Sequence, residues 1–157
     1  MNGQREGGRR HPAHPAPVLR VNHPAIVFLT MCVKGKRPLL ARDSVHALLL
    51  RAWHSADRWL VGRYVIMPDH VHLFCAPADR EWRLGDWINY WRNHVTRAWP
   101  NQHDKPIWQR DYWDTQLRRG ENYSSKWDYA RNNPVRANLV ARAEDWPCSG
   151  EMNTLWW

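Results

Sequence analysis

Cysteine is scarce in this chain. Three residues in 157, Cys32, Cys75 and Cys148, lie far apart and form no CxxC pair. That excludes a disulfide framework and a cysteine-based zinc ribbon, and a reducing cytoplasm is the simplest setting. No run approaches the 18 apolar residues of a membrane-spanning helix. The basic N-terminus has no apolar h-region, so it does not read as a secretory signal. No internal repeat and no interdomain linker is visible.

What is abundant is positive charge and tryptophan. Lys and Arg number 23 against 15 Asp and Glu, a net charge of +8, and there are 12 tryptophans. An excess of cations suits a polyanionic partner. Indoles serve equally as core or as stacking surfaces for bases, and composition does not choose between the two.

Residues 1–20 are rich in Gly, Pro, His and Arg and read as a flexible basic tail. Residues 21–157 read as one domain. Ala25 to Val33 is a short apolar run with β-branched members, which predicts a buried strand. Lys34-Gly-Lys-Arg37-Pro38 follows as a basic turn. Asp43 or Ser44 is placed to cap a helix whose apolar stripe runs Val45, Leu48, Leu49, Ala52, Trp53, Ala56 and Leu60. Arg63 to Met67 and His70 to Ala76 read as an antiparallel hairpin closed by Pro68-Asp69. Leu84, Trp87, Ile88, Trp91 and Val95 mark a second helix. An extended piece, Ile107 to Tyr112, precedes a last helix from about Asn122 to Asn132 that stops near Pro134. Strand, helix, strand, strand, helix, strand, helix is the order of an α+β, ferredoxin-like antiparallel sheet with helices on one face and an added C-terminal helix.

Two places carry chemistry. In the strand, His70-Val71-His72 puts both imidazoles on one face while Val71 and Leu73 turn to the other. Two neutral imidazoles on one face can share a divalent metal; the plainer reading is a pair of surface histidines. His11, His14, His23, His46, His54, His94 and His103 have no such pairing. In the last helix Tyr123, Trp127 and Ala130 define an apolar stripe. Tyr129 falls off it, with Lys126 and Asn133 at i−3 and i+4 on its own face. The plain reading is a solvated polar face. The functional reading is a nucleophilic phenol with Lys126 as a supporting charge and Asn133 as an oxygen ligand one turn on. A phenol needs activation, or a metal acting on its target, to attack at neutral pH. Two imidazoles and an amide oxygen suit Mg2+ or Mn2+.

These residues stand in recognisable company. Met67-Pro-Asp-His-Val-His-Leu73, Trp108-Gln-Arg-Asp-Tyr-Trp-Asp114, Trp127-Asp-Tyr-Ala-Arg-Asn-Asn-Pro-Val-Arg-Ala137 and Glu144-Asp-Trp-Pro147 together resemble the REP-associated tyrosine transposases of bacteria. Those are insertion-sequence-200-like, single-tyrosine enzymes of the HUH superfamily. The resemblance spans about residues 24 to 150. It implies that His70, His72 and Asn133 hold Mg2+ or Mn2+ and that Tyr129 is the nucleophile. It implies a single-stranded DNA endonuclease and strand transferase acting at hairpins of palindromic repeats through a 5′-phosphotyrosine. A monomer is favoured over a homodimer, and no membrane partner is implied. Lys34, Lys36, Arg37, Arg118 and Arg119 are candidates for phosphate contacts, with solvated surface charge as the equal alternative. Among the tryptophans, Trp53, Trp87, Trp91 and Trp127 read as core, and Trp108 and Trp113 as packing residues. Two departures are visible: Asn138 stands where the family commonly has Gly, and Cys148 where an aromatic is frequent. The competing readings are a nucleic-acid-binding module without catalysis on the same fold, and a phosphodiesterase that activates water.

Overall fold

Five strands form the frame, and their alternation decides where everything else sits. The computed structural model describes residues 25–118 and 120–156. The expected tail, 1–20, and Arg119 lie outside them. The strands are β1 (Ile26–Val33), β2 (Trp59–Ile66), β3 (His70–Pro77), β4 (Trp108–Leu117) and the short β5 (Ser149–Glu151). They pair in the order β4-β1-β3-β2-β5, all antiparallel. The first four strands therefore carry the ferredoxin-like order expected, with β3 at the centre and β4 at an edge.

Helices α1 (Asp43–Ser55) and α2 (Leu84–Ala98) cover one face. Their buried residues Val45, Leu48, Leu49, Ala52 and Trp53, and Leu84, Trp87, Ile88, Trp91 and Val95, are those of the expected stripes. They pack on Val27, Leu29 and Met31 of β1 and on Val71, Leu73 and Cys75 of β3. The indoles of Trp53, Trp91 and Trp108 meet edge to face, at centroid spacings of 5.8 and 5.5 Å. Such crossed pairs match the positive ring edge to the negative face of its neighbour. Cys148, which departs from the family pattern, is buried in this core. All three cysteines are free thiols.

The other face carries a smaller apolar cluster: Ile26, Phe28, Val65, Met67, Phe74, Ala76 and Leu117. Helix α3 (Gly120–Arg131) seals it with Ala130, Tyr123 and Trp127, the stripe read from the sequence. A one-turn helix, α4 (Asn133–Arg136), follows. No helix of the described residues is long and apolar enough to cross a membrane.

Four local expectations are corrected. The first helix ends at Ser55, so Leu60 is not on its stripe; it lies on β2 and is exposed. Neither Asp43 nor Ser44 caps α1: the N-cap is Arg42, without a side-chain hydrogen bond. Strand β2 begins at Trp59 rather than Arg63, because its pairing with β3 slips between Val61 and Tyr64. That bulge lets Trp59 and Val61, then Tyr64 and Ile66, all join the same core, which strict alternation forbids. Strand β4 runs on to Leu117, well beyond Tyr112. Asn138, by contrast, adopts the left-handed backbone allowed to it, at φ 57°.

Trp91 is wholly buried in the larger core, whereas Trp156 is 72% exposed. Trp91→Ala is therefore expected to cost about 3–5 kcal/mol in urea unfolding, and Trp156→Ala no more than ~0.5 kcal/mol. Equal costs for the two would contradict this packing.

Candidate functional site

The hairpin connection at residues 67–69 fixes where the histidines begin. The Val33 amide donates to the Asp69 carbonyl at 2.9 Å, and the Leu40 amide to the Pro68 carbonyl at 2.9 Å. Strand β3 then starts at His70, which lies opposite Cys32 of β1, with His72 opposite Thr30. Both imidazoles face the α3 side of the sheet, alongside Phe74, while Val71 and Leu73 enter the larger core as alternation requires.

Each ring is held through its Nδ1. His70 Nδ1 lies 2.7 Å from Asp69 Oδ1, and His72 Nδ1 lies 2.9 Å from Thr30 Oγ1. Donation of Nδ1–H to these oxygens leaves each Nε2 with a lone pair. The two Nε2 atoms stand 3.2 Å apart. The side-chain amide of Asn133 closes the triangle, 2.9 Å from His70 Nε2 and 3.0 Å from His72 Nε2. The atom placed there is Nδ2, which donates to both lone pairs; turning the amide over brings Oδ1 to the same position. Cis ligands of an octahedral ion with bonds of about 2.1 Å lie about 3 Å apart. Two imidazole nitrogens and an amide oxygen at this spacing thus fit one face of such an ion. No third His, Cys, Asp or Glu joins the pair among the described residues.

His72 is only 7% exposed, and its ring stacks on Phe28 at 5.4 Å. Burial, then the neighbouring His70 and Arg136, push its pKa down to about 3. It is a neutral imidazole at any ordinary pH. Cys32, across from His70, is kept a thiol by burial and by the nearby Asp69.

Asn133 reaches the histidines because the C-terminal helix breaks. Pro134 has no amide hydrogen and its ring clashes with the carbonyl four residues back, so α3 cannot run through it. Asn132 leaves helical geometry at φ −88°, ψ 0°, and α4 restarts at Asn133 with Pro134 in its first turn. Tyr129 and Asn133 are thus on two helices, not one turn apart on a single helix as expected. Tyr129 is 58% exposed, off the apolar stripe. The Arg136 guanidinium lies 4.0 Å from the centre of its ring, and Arg136 also donates to the Tyr129 carbonyl at 2.7 Å. The Lys126 ammonium is 5.7 Å from the Phe28 ring, the ring that stacks on His72.

The candidate phosphate contacts separate. Lys34 and Lys36 are exposed in a short 3-10 turn directly after β1, at the histidine end of the sheet. Arg37 is instead engaged by three carbonyls, those of Lys34, Asp104 and Pro106. Arg118 follows Leu117, which pairs with Ile26. Ile26 is six residues along β1 from Cys32, or about 20 Å, so Arg118 is at the far end. Sequence reasoning had no role for Asp69 beyond its turn, and none for Thr30, Phe28 or Arg136. Asp69, directly before the histidine pair, and Arg136, within the Asn-Pro-Val-Arg segment, were the signals available.

Comparison with solved structures places the fold in a known class. The chain superposes on a REP-associated tyrosine transposase bound to a REP hairpin with a TM-score of 0.70, at 21% identity, over 93% of this chain and 82% of that one. A Deinococcus radiodurans R1 protein provisionally assigned as a transposase gives a TM-score of 0.51, at 20% identity, over 70% of this chain and 91% of that one. In sequence, the chain is 27% identical over 125 residues to the REP-associated tyrosine transposase of Escherichia coli K12, covering 78% of this chain and 73% of that protein. It is 28% identical over 95 residues to a Haemophilus influenzae protein provisionally given the same name, covering 54% of each. The chain thus spans about half the length of that relative. No family model matches. The resemblance carried by the four sequence motifs is borne out: the relatives it finds are REP-associated tyrosine transposases.

The buried neutral His72 has a consequence for stability. In the unfolded chain its pKa returns to 6.5, so that state takes up a proton between pH 6.5 and about 3 that the folded state refuses. Stability contributed by His72 is full above pH 6.5 and is lost as pH falls toward 3. Urea midpoints measured from pH 7 to 4 should fall, and His72→Gln should flatten the slope. Parallel slopes would refute the assignment.

Proposed function

We propose that the chain is a metal-dependent single-stranded DNA endonuclease and strand transferase that acts at DNA hairpins. The observation that carries the reading is the triangle of His70 Nε2, His72 Nε2 and the Asn133 amide, with mutual distances of 2.9 to 3.2 Å, four residues beyond an exposed tyrosine. A relative's name supports the transposase and hairpin part of the reading: it is a tyrosine transposase bound to a REP hairpin.

In this reading His70, His72 and Asn133 hold Mg2+ or Mn2+. The ion supplies Lewis-acid polarisation of a phosphate oxygen when bound. Asp69 and Thr30 keep the two imidazoles in the tautomer that presents Nε2. Tyr129 gives up its phenolic proton to solvent and its oxygen attacks the phosphorus. The bond to the 3′ oxygen breaks, and that oxygen takes a proton and leaves as a 3′-OH. A 5′-phosphotyrosine remains. Attack by a 3′-OH on that link reverses the step and rejoins the strand, so one phosphate ester replaces another and no nucleotide cofactor is consumed. Arg136 holds the ring of Tyr129 from its face and its carbonyl by a hydrogen bond, and so positions the tyrosine. Lys34 and Lys36 lie where a phosphate backbone entering the site would pass. The three donors meet within one chain, which suits a monomer. Three unpaired cysteines suit the reducing cytoplasm.

A binding module without catalysis has no need of two histidines and an amide held at ligand spacing. The two readings part on one gel. The full chain is incubated with a labelled hairpin bearing unpaired flanks and Mn2+, then run under denaturing conditions. A covalent adduct is expected. Tyr129→Phe should remove both adduct and cleavage, by a factor of about 10³ or more, while DNA affinity stays within about twofold. Cleavage that persists in Tyr129→Phe refutes the tyrosine mechanism, and binding without cleavage in Mn2+, and again when Mg2+ replaces it, favours the module.

The metal is tested separately. Calorimetric titration with Mn2+ should show one site, and His70→Ala or His72→Ala should weaken it by well over tenfold. Unchanged affinity in both variants would remove these residues as ligands.

A further inference from the structure

The sheet carries one large aromatic that neither core uses. Trp113, expected to pack, is 47% exposed. Its place is fixed by register. Thr30 of β1 pairs with His72 on one side and with Trp113 of β4 on the other. Directly paired residues of an antiparallel ladder share a face. The side chain of Thr30 is on the histidine face, since its hydroxyl meets His72 Nδ1. Alternation gives the same answer independently. Leu117, four residues on, is buried in the α3-side cluster, and the β1–β4 pairing is regular from Met31 to Ile26. Trp113 therefore stands on the same sheet face as His70 and His72. It is two strand spacings from His72, about 10 Å.

Helix α3 covers the other end of this face, over Ile26, Phe28, Phe74 and Leu117. At the histidine end Asn133 of α4 closes over the two histidines, while Trp113 on the edge strand stays exposed. What the indole of Trp113 offers there is a flat neutral surface rather than a charge.

We propose that Trp113 is a stacking platform for an unpaired nucleobase of the DNA strand that flanks the reacting phosphate. This rests on the single-stranded DNA reading above and adds to it a residue and a mode of contact. The backbone, drawn by the excess of Lys and Arg, runs toward the histidine pair, and a base beside it lies on the indole. Base–aromatic stacking tolerates any base, so Trp113 contributes affinity and placement of the strand rather than sequence choice.

Binding, not cleavage, tests this, so it stands apart from the tyrosine mechanism. Affinities of the full chain are measured in EDTA for a DNA hairpin with unpaired flanks, for the same hairpin without flanks, and for oligo(dT). Trp113→Ala should weaken the flanked hairpin and oligo(dT) by about tenfold or more. It should leave the flankless hairpin within about twofold. Trp113→Phe should recover most of the loss. With 2-aminopurine at successive flank positions, one position should be quenched by the wild type and released by Trp113→Ala. Affinities of Trp113→Ala unchanged from the wild type for all three DNAs, with its fold intact by circular dichroism, overturn the proposal and leave the nuclease reading standing. A change only in the mass measured by light scattering would assign the indole to self-association and also overturn it. Failure of the wild type to bind any of these DNAs refutes both readings.

Discussion

Everything in this molecule depends on β3 being the central strand of a sheet covered on both faces. A strand presents its side chains alternately, so one eight-residue segment must satisfy two environments at once. Val71, Leu73 and Cys75 fill the larger core. His72, Phe74 and Ala76 face the other way, where Phe74 and Ala76 anchor α3 and His72 is held among Thr30, His70 and Asn133. The strand that holds the fold together is thus also the strand that positions the candidate chemistry. Its rigidity comes from neighbours on either side rather than from any loop.

The orientation of the histidines follows from the same period of two, which is why it was legible in the sequence. So were both apolar stripes of α1 and α2 and the isolation of Tyr129 from the stripe of α3, because each depends only on local spacing. What was not legible depends on partners distant in the chain. The bulge in β2 breaks alternation between Val61 and Tyr64, so the first residues of the strand look irregular until their pairing with β3 is seen. The length of β4 is set by its ladder with β1. Thr30, Phe28 and Trp113 gain meaning only by register, since nothing in the sequence near them names His72 as their neighbour.

Pro134 has an effect that a smooth helix would not allow. By ending α3 at Arg131 it frees Asn133 to begin a new turn aimed at the histidines, while Tyr129 stays on the longer helix packed through Trp127 and Ala130. Arg136 spans the break, with its guanidinium on the ring and on the carbonyl of Tyr129. The tyrosine and the amide are then anchored by different contacts, one by an apolar seam and the other by a polar triangle. The frame that carries these contacts superposes on a solved tyrosine transposase at a TM-score of 0.70, although only 21% of the residues are identical.

Strand β4 is an edge, and edges are hazards. Ten residues of backbone lie along it, carrying an exposed indole, with one side of the ladder unpaired by any other strand among those described. Such a border is a template on which a second copy can add its own strand and begin an aggregate. Arg110, Asp111 and Asp114 interrupt it, and charged side chains along an edge are costly to desolvate when another strand is added. Those charges act as gatekeepers: they let the chain display a large apolar ring in water without its becoming the seed of a fibre.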